Sequence, residues 1–304
     1  MSTHTEFLRR LPMLVLSAAF AGWLCLAGSV SAAGGMGTLE RIRQAHEIRI
    51  GYSDHTPPFS YQLPDGRIVG YSIDICNRIA ESLKTRLGLQ DLSVRYVART
   101  ASNRVQLLRD GAMDIECNAS TATAERQKSV HFALSHFFVG TRYVALAKND
   151  FHTLADLKGR SVSVLAGSTN VSQIAKVNRS MKLNLSLVVA DSLQEAFDMV
   201  TTDRVAAFPM DDVLLKTMIA GSTEPSLYDL STDMVSAPEP YGFMIRRDDQ
   251  PFEDAVDDAL RNLYGSPQIA SLYAKWFLEP LPGSGVNLDL PMSDALTTWF
   301  AGFR

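Results

Sequence analysis

From Glu47 onward short apolar runs alternate with amphipathic stretches, the signature of parallel sheet joined by crossover helices. Residues 48–52 read as a first strand. Residues 71–87 carry Ile75, Ile79, Leu83 and Leu87 at four-residue spacing and stop at Gly88, which predicts a helix closed by a C-terminal glycine. A strand is expected over 94–97, a short helix over 103–110 ending at Gly111, and a strand over 113–117 that runs into the polar stretch 118–123.

A second unit of the same layout begins after Val139. Asp156-Leu157-Lys158-Gly159 turns into a strand over 161–165, and Gly167-Ser168-Thr169-Asn170 then opens a helix. Ser192 and Glu195 have capping-box spacing for a helix through Val200, followed by a strand over 205–208 and the pair Asp211-Asp212. Both units place polar residues at the carboxyl end of a strand, where open α/β sheets hold their ligands. The chain returns through Pro240-Tyr241-Gly242-Phe243-Met244 into helical stretches over 252–264 and 271–278. A first segment, an inserted unit and a return require two crossings, expected near Gly140 and Gly242, and two crossings make a hinge. The expected fold class is therefore α/β with two lobes, residues 34–139 and 243–304 forming a discontinuous first lobe and residues 140–242 the second.

The amino terminus has a different character. Arg9 and Arg10 precede an apolar run from Leu11 to Leu26, and small residues follow through Ala33, so residues 1–33 read as a cleavable secretory signal. A retained anchor is the competing reading, and Gly22-Trp23-Leu24 is a poor lipidation context for Cys25. Export leaves Cys76 and Cys117 in a compartment that permits disulfides. A bridge is one possibility; two buried thiols are the other, since Cys76 shares a helix face with Ile73, Ile79 and Leu83. Net charge is −4 with acids and bases interspersed, which excludes the clustered basic face that nucleic acid requires. No metal-ligand spacing accompanies the cysteines.

Several side chains have the chemistry to hold a small zwitterion. Arg126 lies beyond a strand and a polar loop, and its guanidinium fork matches a carboxylate in two places at once. The plainer alternative is an arginine paired with a neighbouring acid. Thr121 offers a hydroxyl five residues earlier. Ser168 and Thr169 stand where a strand becomes a helix, an anion-binding position or a simple cap. Asp211 ends the matching strand of the second unit and suits an ammonium group, though Asp212 is equally placed by position. Phe59 and Tyr61 are expected to give the ligand an apolar wall, aromatic residues of this kind being otherwise core.

Taken in order, Pro58-Phe59-Ser60-Tyr61, Gly70-Tyr71-Ser72-Ile73-Asp74, Asn103-Arg104 with Leu107-Leu108 and Gly111, Asp114-Ile115-Glu116-Cys117, Glu125-Arg126, Asp156-Leu157-Lys158-Gly159 and Tyr241-Gly242 resemble the amino-acid-binding family of bacterial extracellular solute-binding proteins, family 3, which serve ABC importers. The resemblance spans roughly residues 38–290 and is closest to the glutamate/aspartate-binding branch. It implies a periplasmic-binding-protein-like (type II) fold and a monomer without a cofactor, periplasmic and handing an amino acid to an ABC permease in the inner membrane. It further implies Arg126 on the α-carboxylate with Thr121 and Thr169, Asp211 on the ammonium, and Arg104 on the ligand's side chain. The chain departs from that branch at Ser53, Ala101 and Leu193, where the branch carries arginine, serine and histidine. Two other functions fit the same scaffold: a dehydratase-like enzyme, with Glu116 or Asp54 as its acid or base, and a sensory module that reports occupancy without transport.

Overall fold

The alternation resolves into two principal sheets. The computed structural model of the protein describes residues 36–304, so the expected signal segment lies outside the described residues. The first stretch comprises α1 (Thr38–Ala45), β1 (Glu47–Tyr52), β2 (His55–Thr56), β3 (Ser60–Gln62), β4 (Ile68–Val69), α2 (Tyr71–Arg86), β5 (Ser93–Ala98), α3 (Arg104–Arg109), β6 (Ile115–Glu116), α4 (Ala124–Gln127) and β7 (Val130–Phe132). The long strand β8 (Phe137–Leu146) leads to β9 (Ser161–Leu165), α5 (Asn170–Met181), β10 (Ser186–Ala190), α6 (Leu193–Thr201), β11 (Ala207–Asp211), α7 (Asp212–Ala220) and β12 (Tyr228–Leu230). The chain returns along β13 (Ser236–Tyr241) to β14 (Met244–Arg246), α8 (Gln250–Tyr264), α9 (Gln268–Phe277) and α10 (Asp294–Ala301).

The first sheet has the order β5-β1-β6-β14-β7, with β1 parallel to β5 and β6. The second has the order β10-β9-β11-β8-β12, with β13 also paired to β8. Strand β14 comes after the whole second sheet yet inserts antiparallel between β6 and β7. The first sheet is thus discontinuous in sequence, as an inserted unit demands, and each sheet forms the centre of one of two lobes. The antiparallel pairings are the difference from expectation: the apolar alternation signals parallel strands, while β8, β12, β13 and β14 all run antiparallel to their neighbours. Strands β8 and β13 pair side by side at the connection, with Phe137 opposite Tyr241 and Phe138 opposite Pro240.

Helix α2 shows why the sequence pattern works. Ile75, Cys76, Ile79 and Leu83 are buried along one face, each large aliphatic side chain contributing about 1.5–3 kcal/mol. The helix ends at Arg86, and Gly88 then takes φ +66°, a left-handed turn that glycine adopts without steric cost. Cys76 is disulfide-bonded to Cys117, which ties α2 to the end of β6 and decides between the two readings of these cysteines. The carboxyl-terminal helix α10 packs on the connection: the Trp299 indole donates to the Ser135 carbonyl at 2.8 Å and its ring meets the edge of Phe138.

Candidate functional site

A cleft of about 170 Å³ lies where the carboxyl ends of β1 and β5 face those of β9 and β11. At roughly 10–15 Å³ for each water, that is space for about a dozen waters, comparable with a solute of some ten heavy atoms. Its first wall is cationic. Arg126 sits on the single turn α4, capped by the Thr123 hydroxyl, which accepts from the Arg126 N–H at 3.2 Å. Its Nη1 donates to the Thr121 carbonyl at 2.9 Å and its Nη2 to the Gly167 carbonyl at 3.1 Å. Arg104 opens α3, donates from Nη1 to the Ser120 hydroxyl at 3.3 Å and from Nη2 to the same Gly167 carbonyl at 3.2 Å.

Two guanidiniums meeting on one carbonyl repel each other, and both are buried or partly buried. Burial first, and then Arg126, push the Arg104 pKa down to about 9, with Glu116 opposing that shift. Burial likewise lowers the Arg126 pKa, against the pull of Glu116 and Asp211. Both stay charged at neutral pH, and an entering anion would relieve the penalty.

The second wall carries Asp211, last residue of β11 and 6% exposed. Its Oδ1 accepts from Asn170 Nδ2 at 2.9 Å and from the Thr141 hydroxyl at 3.2 Å, and its Oδ2 accepts from the Tyr241 hydroxyl. Burial raises its pKa, and these three donors partly offset the rise. Asp212, its rival by position, instead accepts the Val213 N–H at the start of α7 and lies outside the cleft lining. Ser168 and Thr169 line the cleft before α5, and Ser168 Oγ is buried with no hydrogen-bond partner among the described residues. Thr121 lines it from the other side.

Six of the expected residues, Arg104, Thr121, Arg126, Ser168, Thr169 and Asp211, therefore gather at one cleft. Phe59 does not. It is fully buried, with its ring packed against Tyr71, Phe137, Tyr241 and Phe277 at centroid distances from 5.1 to 6.2 Å, so it is core rather than cleft wall. Tyr61 is core as well, its hydroxyl donating to the Pro282 carbonyl. The apolar wall comes instead from Leu165, Leu193, Met210 and Leu214 of the second lobe. Ser53 and Ala101, two of the points of departure from the acidic-ligand branch, line the cleft together with Leu193.

Sequence reasoning also passed over Arg99, Asn118 and Asn170, which line the cleft. Arg99 stands one residue past β5, and its position at a strand's carboxyl end is the signal that would have found it. Glu116, an acid–base candidate by sequence, is fully buried and ion-paired with Arg99. Asp54 lies at the rim, partly exposed.

Comparison with known proteins gives the following matches. Residues 48–279 match the family model described as bacterial extracellular solute-binding proteins, family 3. The L-glutamate/L-aspartate-binding protein of Pseudomonas aeruginosa is 36% identical over 261 residues, 86% of each chain. The glutamate/aspartate import solute-binding protein of Escherichia coli is 32% identical over 293 residues, 96% of each chain. Among solved structures, an ancestral arginine-binding protein bound to arginine superposes with a TM-score of 0.68 at 26% identity, covering 76% of this chain and 98% of that one.

Proposed function

The chain belongs to family 3 of the bacterial extracellular solute-binding proteins, and from that premise we propose that it is the periplasmic receptor of an ABC importer, capturing an acidic α-amino acid of the glutamate and aspartate kind. The observation that carries this reading is the charge of the cleft. Three guanidiniums, Arg99, Arg104 and Arg126, line it, and Asp211 is the one buried carboxylate that does so among the described residues; Glu116 lies beneath it and the half-buried Glu239 acts on Arg126 from beside Asp211. The other acids of the lining, Asp54 and Asp191, are partly or fully exposed at the rim. The cations of the lining outnumber its buried acid, so an amino acid with a second carboxylate compensates them better than a neutral zwitterion does.

In this reading Arg126, with Thr121, Ser168 and Thr169, holds the α-carboxylate, Asp211 accepts from the ammonium group, and Arg104 faces the side-chain anion. The apolar wall around Leu193 packs against the ligand's methylenes. Residues 140–242 move as one lobe against the rest about β8 and β13, and ligand contacts to both walls favour the closed state. The protein works as an exported monomer that loses residues 1–33. We read it as a binding protein rather than an enzyme, because the Glu116 carboxylate is engaged by Arg99 and the Pseudomonas aeruginosa and Escherichia coli relatives are named as binding proteins.

A thermal-shift screen of the purified protein against the common amino acids tests the reading. A ligand at 100 times its dissociation constant stabilises the fold by about 2.7 kcal/mol. Glutamate or aspartate is expected to raise the melting temperature by several degrees. Stabilisation by basic or apolar amino acids alone would contradict the proposal.

A further inference from the structure

Resting on the acidic-ligand reading, we propose that Arg99, held in place by Glu116, is a specificity-determining residue that takes part in recognising the second carboxylate of the ligand. Strands β1 and β5 run parallel with Tyr52 opposite Ala98, and the Arg99 N–H continues the ladder by donating to the Tyr52 carbonyl at 3.0 Å. Arg99 and Ser53 are therefore neighbours at two adjacent strand ends, and both line the cleft. Ser53 is short and already engaged, its hydroxyl 2.8 Å from that of Thr56 and its N–H donating to the Ser60 hydroxyl at 2.9 Å. The cation of this corner is Arg99.

The state of the Arg99 guanidinium points to a ligand. The residue is 7% exposed; its Nη2 meets the Glu116 carboxylate, and its Nε is buried with no hydrogen-bond partner among the described residues. Its one close ionic partner is Glu116, which is itself fully buried. A guanidinium carries five N–H donors, and an arginine buried only to support the fold would have most of them satisfied. Here one carboxylate holds Nη2 and leaves the rest of the guanidinium fork at the lining of a cleft. Glu116 also acts on Arg104 and Arg126, holding up the charge of each against burial, so one buried acid serves three cations. Arg104 and Arg126 spend one N–H each on the Gly167 carbonyl, which leaves room in this corner for a third donor to a second carboxylate.

The test is calorimetric titration of the mature protein with glutamate and with its uncharged isostere glutamine. The variants are Arg99→Met combined with Glu116→Gln, which leaves neither partner charged and buried, and Arg99→Lys, which keeps the charge facing Glu116 but loses the fork. In a folded double variant, glutamate affinity is expected to fall roughly ten- to a hundred-fold, the usual loss for hydrogen bonds to a charged group. Glutamine, which shares only the α-carboxylate contacts that Glu116 supports through Arg126, should lose less, so the ratio between the two ligands narrows. Arg99→Lys should lose part of the ratio, and it carries the test alone if the double variant fails to fold. An unchanged ratio, or an equal loss for both ligands, would overturn the inference and leave Arg99 a structural residue. A wild-type protein that binds neither ligand would remove the acidic-ligand reading, and that failure is visible before any variant is made.

Discussion

Gly167 lies where the two lobes touch, and replacing it with alanine separates the energetics of folding from those of closure. Its φ is +74°, a conformation that costs an L-residue about 1–2 kcal/mol. A Cβ there would lie 2.7 Å from the Ala101 carbonyl oxygen and 2.9 Å from the Ser102 Cα, backbone atoms of the facing lobe that have no rotamer with which to yield. The φ cost applies whether the lobes are open or closed, whereas the clash arises only when they meet. Gly167→Ala should therefore melt about 2–8 °C below the wild type. It should also bind ligand at least ten-fold more weakly, because closure would have to give up one or both bonds from Arg104 and Arg126 to the Gly167 carbonyl. Gly159→Ala is the control: φ is +71°, but nothing lies within 4 Å of the added Cβ. It should lower the melting temperature similarly and leave affinity unchanged. Melting curves and calorimetry on the two variants give the answer, and equal affinities for both would refute the claim that the Gly167 contact belongs to the ligand-bound state.

The Asp211 carboxylate must be ionised to hold an ammonium group, and burial raises its pKa, so affinity should fall on acidification at a pH above the ordinary 3.8. Tyr241→Phe removes one of the influences that lower this pKa and should move the fall to higher pH, while a profile identical to wild type would speak against the pairing. His136 is a buried base whose pKa burial lowers from 6.5 to about 3. The unfolded chain therefore binds the proton first, and stability present above pH 6.5 should be lost at up to about 1.4 kcal/mol per pH unit as the pH falls towards 3. His136→Phe should flatten that slope in acid-denaturation curves, and an unaltered slope would show that other groups carry it. The Cys76–Cys117 bond spans 41 residues, so reduction should cost roughly 4 kcal/mol on the chain-entropy account. An equal melting temperature with and without reductant would contradict it.

How far the sequence reached can be judged residue by residue. Helix α2 was legible because its four-residue apolar spacing and its terminal glycine carry the same message. Arg126, Asp211 and Thr169 could be placed at the cleft because Asp211 ends a strand and the other two lie in the segments that follow one, positions that topology turns towards the opening. Phe59 could not be assigned, since whether an aromatic side chain lines a cleft or fills a core depends on rings that lie far away in sequence, here Tyr241 and Phe277. Strand β14 has only three residues and owes its place to partners over a hundred positions earlier, so no local period announces it. Arg99 gives no motif, and its meaning comes from the register of β5 on β1 and from a buried acid on β6. The choice between Asp211 and Asp212 needed the strand-to-helix boundary to within one residue, finer than sequence pattern resolves.

The central claim is that a half-buried guanidinium on one lobe and a buried carboxylate on the other hold the two charged ends of an amino acid. The most direct measurement is the affinity of Arg126→Ala for the ligand that stabilises the wild type, by calorimetry on protein shown to be folded. Truncating one partner of a desolvated charge pair costs about 2–5 kcal/mol, so affinity should fall by about thirty-fold to several thousand-fold. A folded Arg126→Ala protein that binds as tightly as the wild type would contradict the α-carboxylate assignment and, with it, the account of the site.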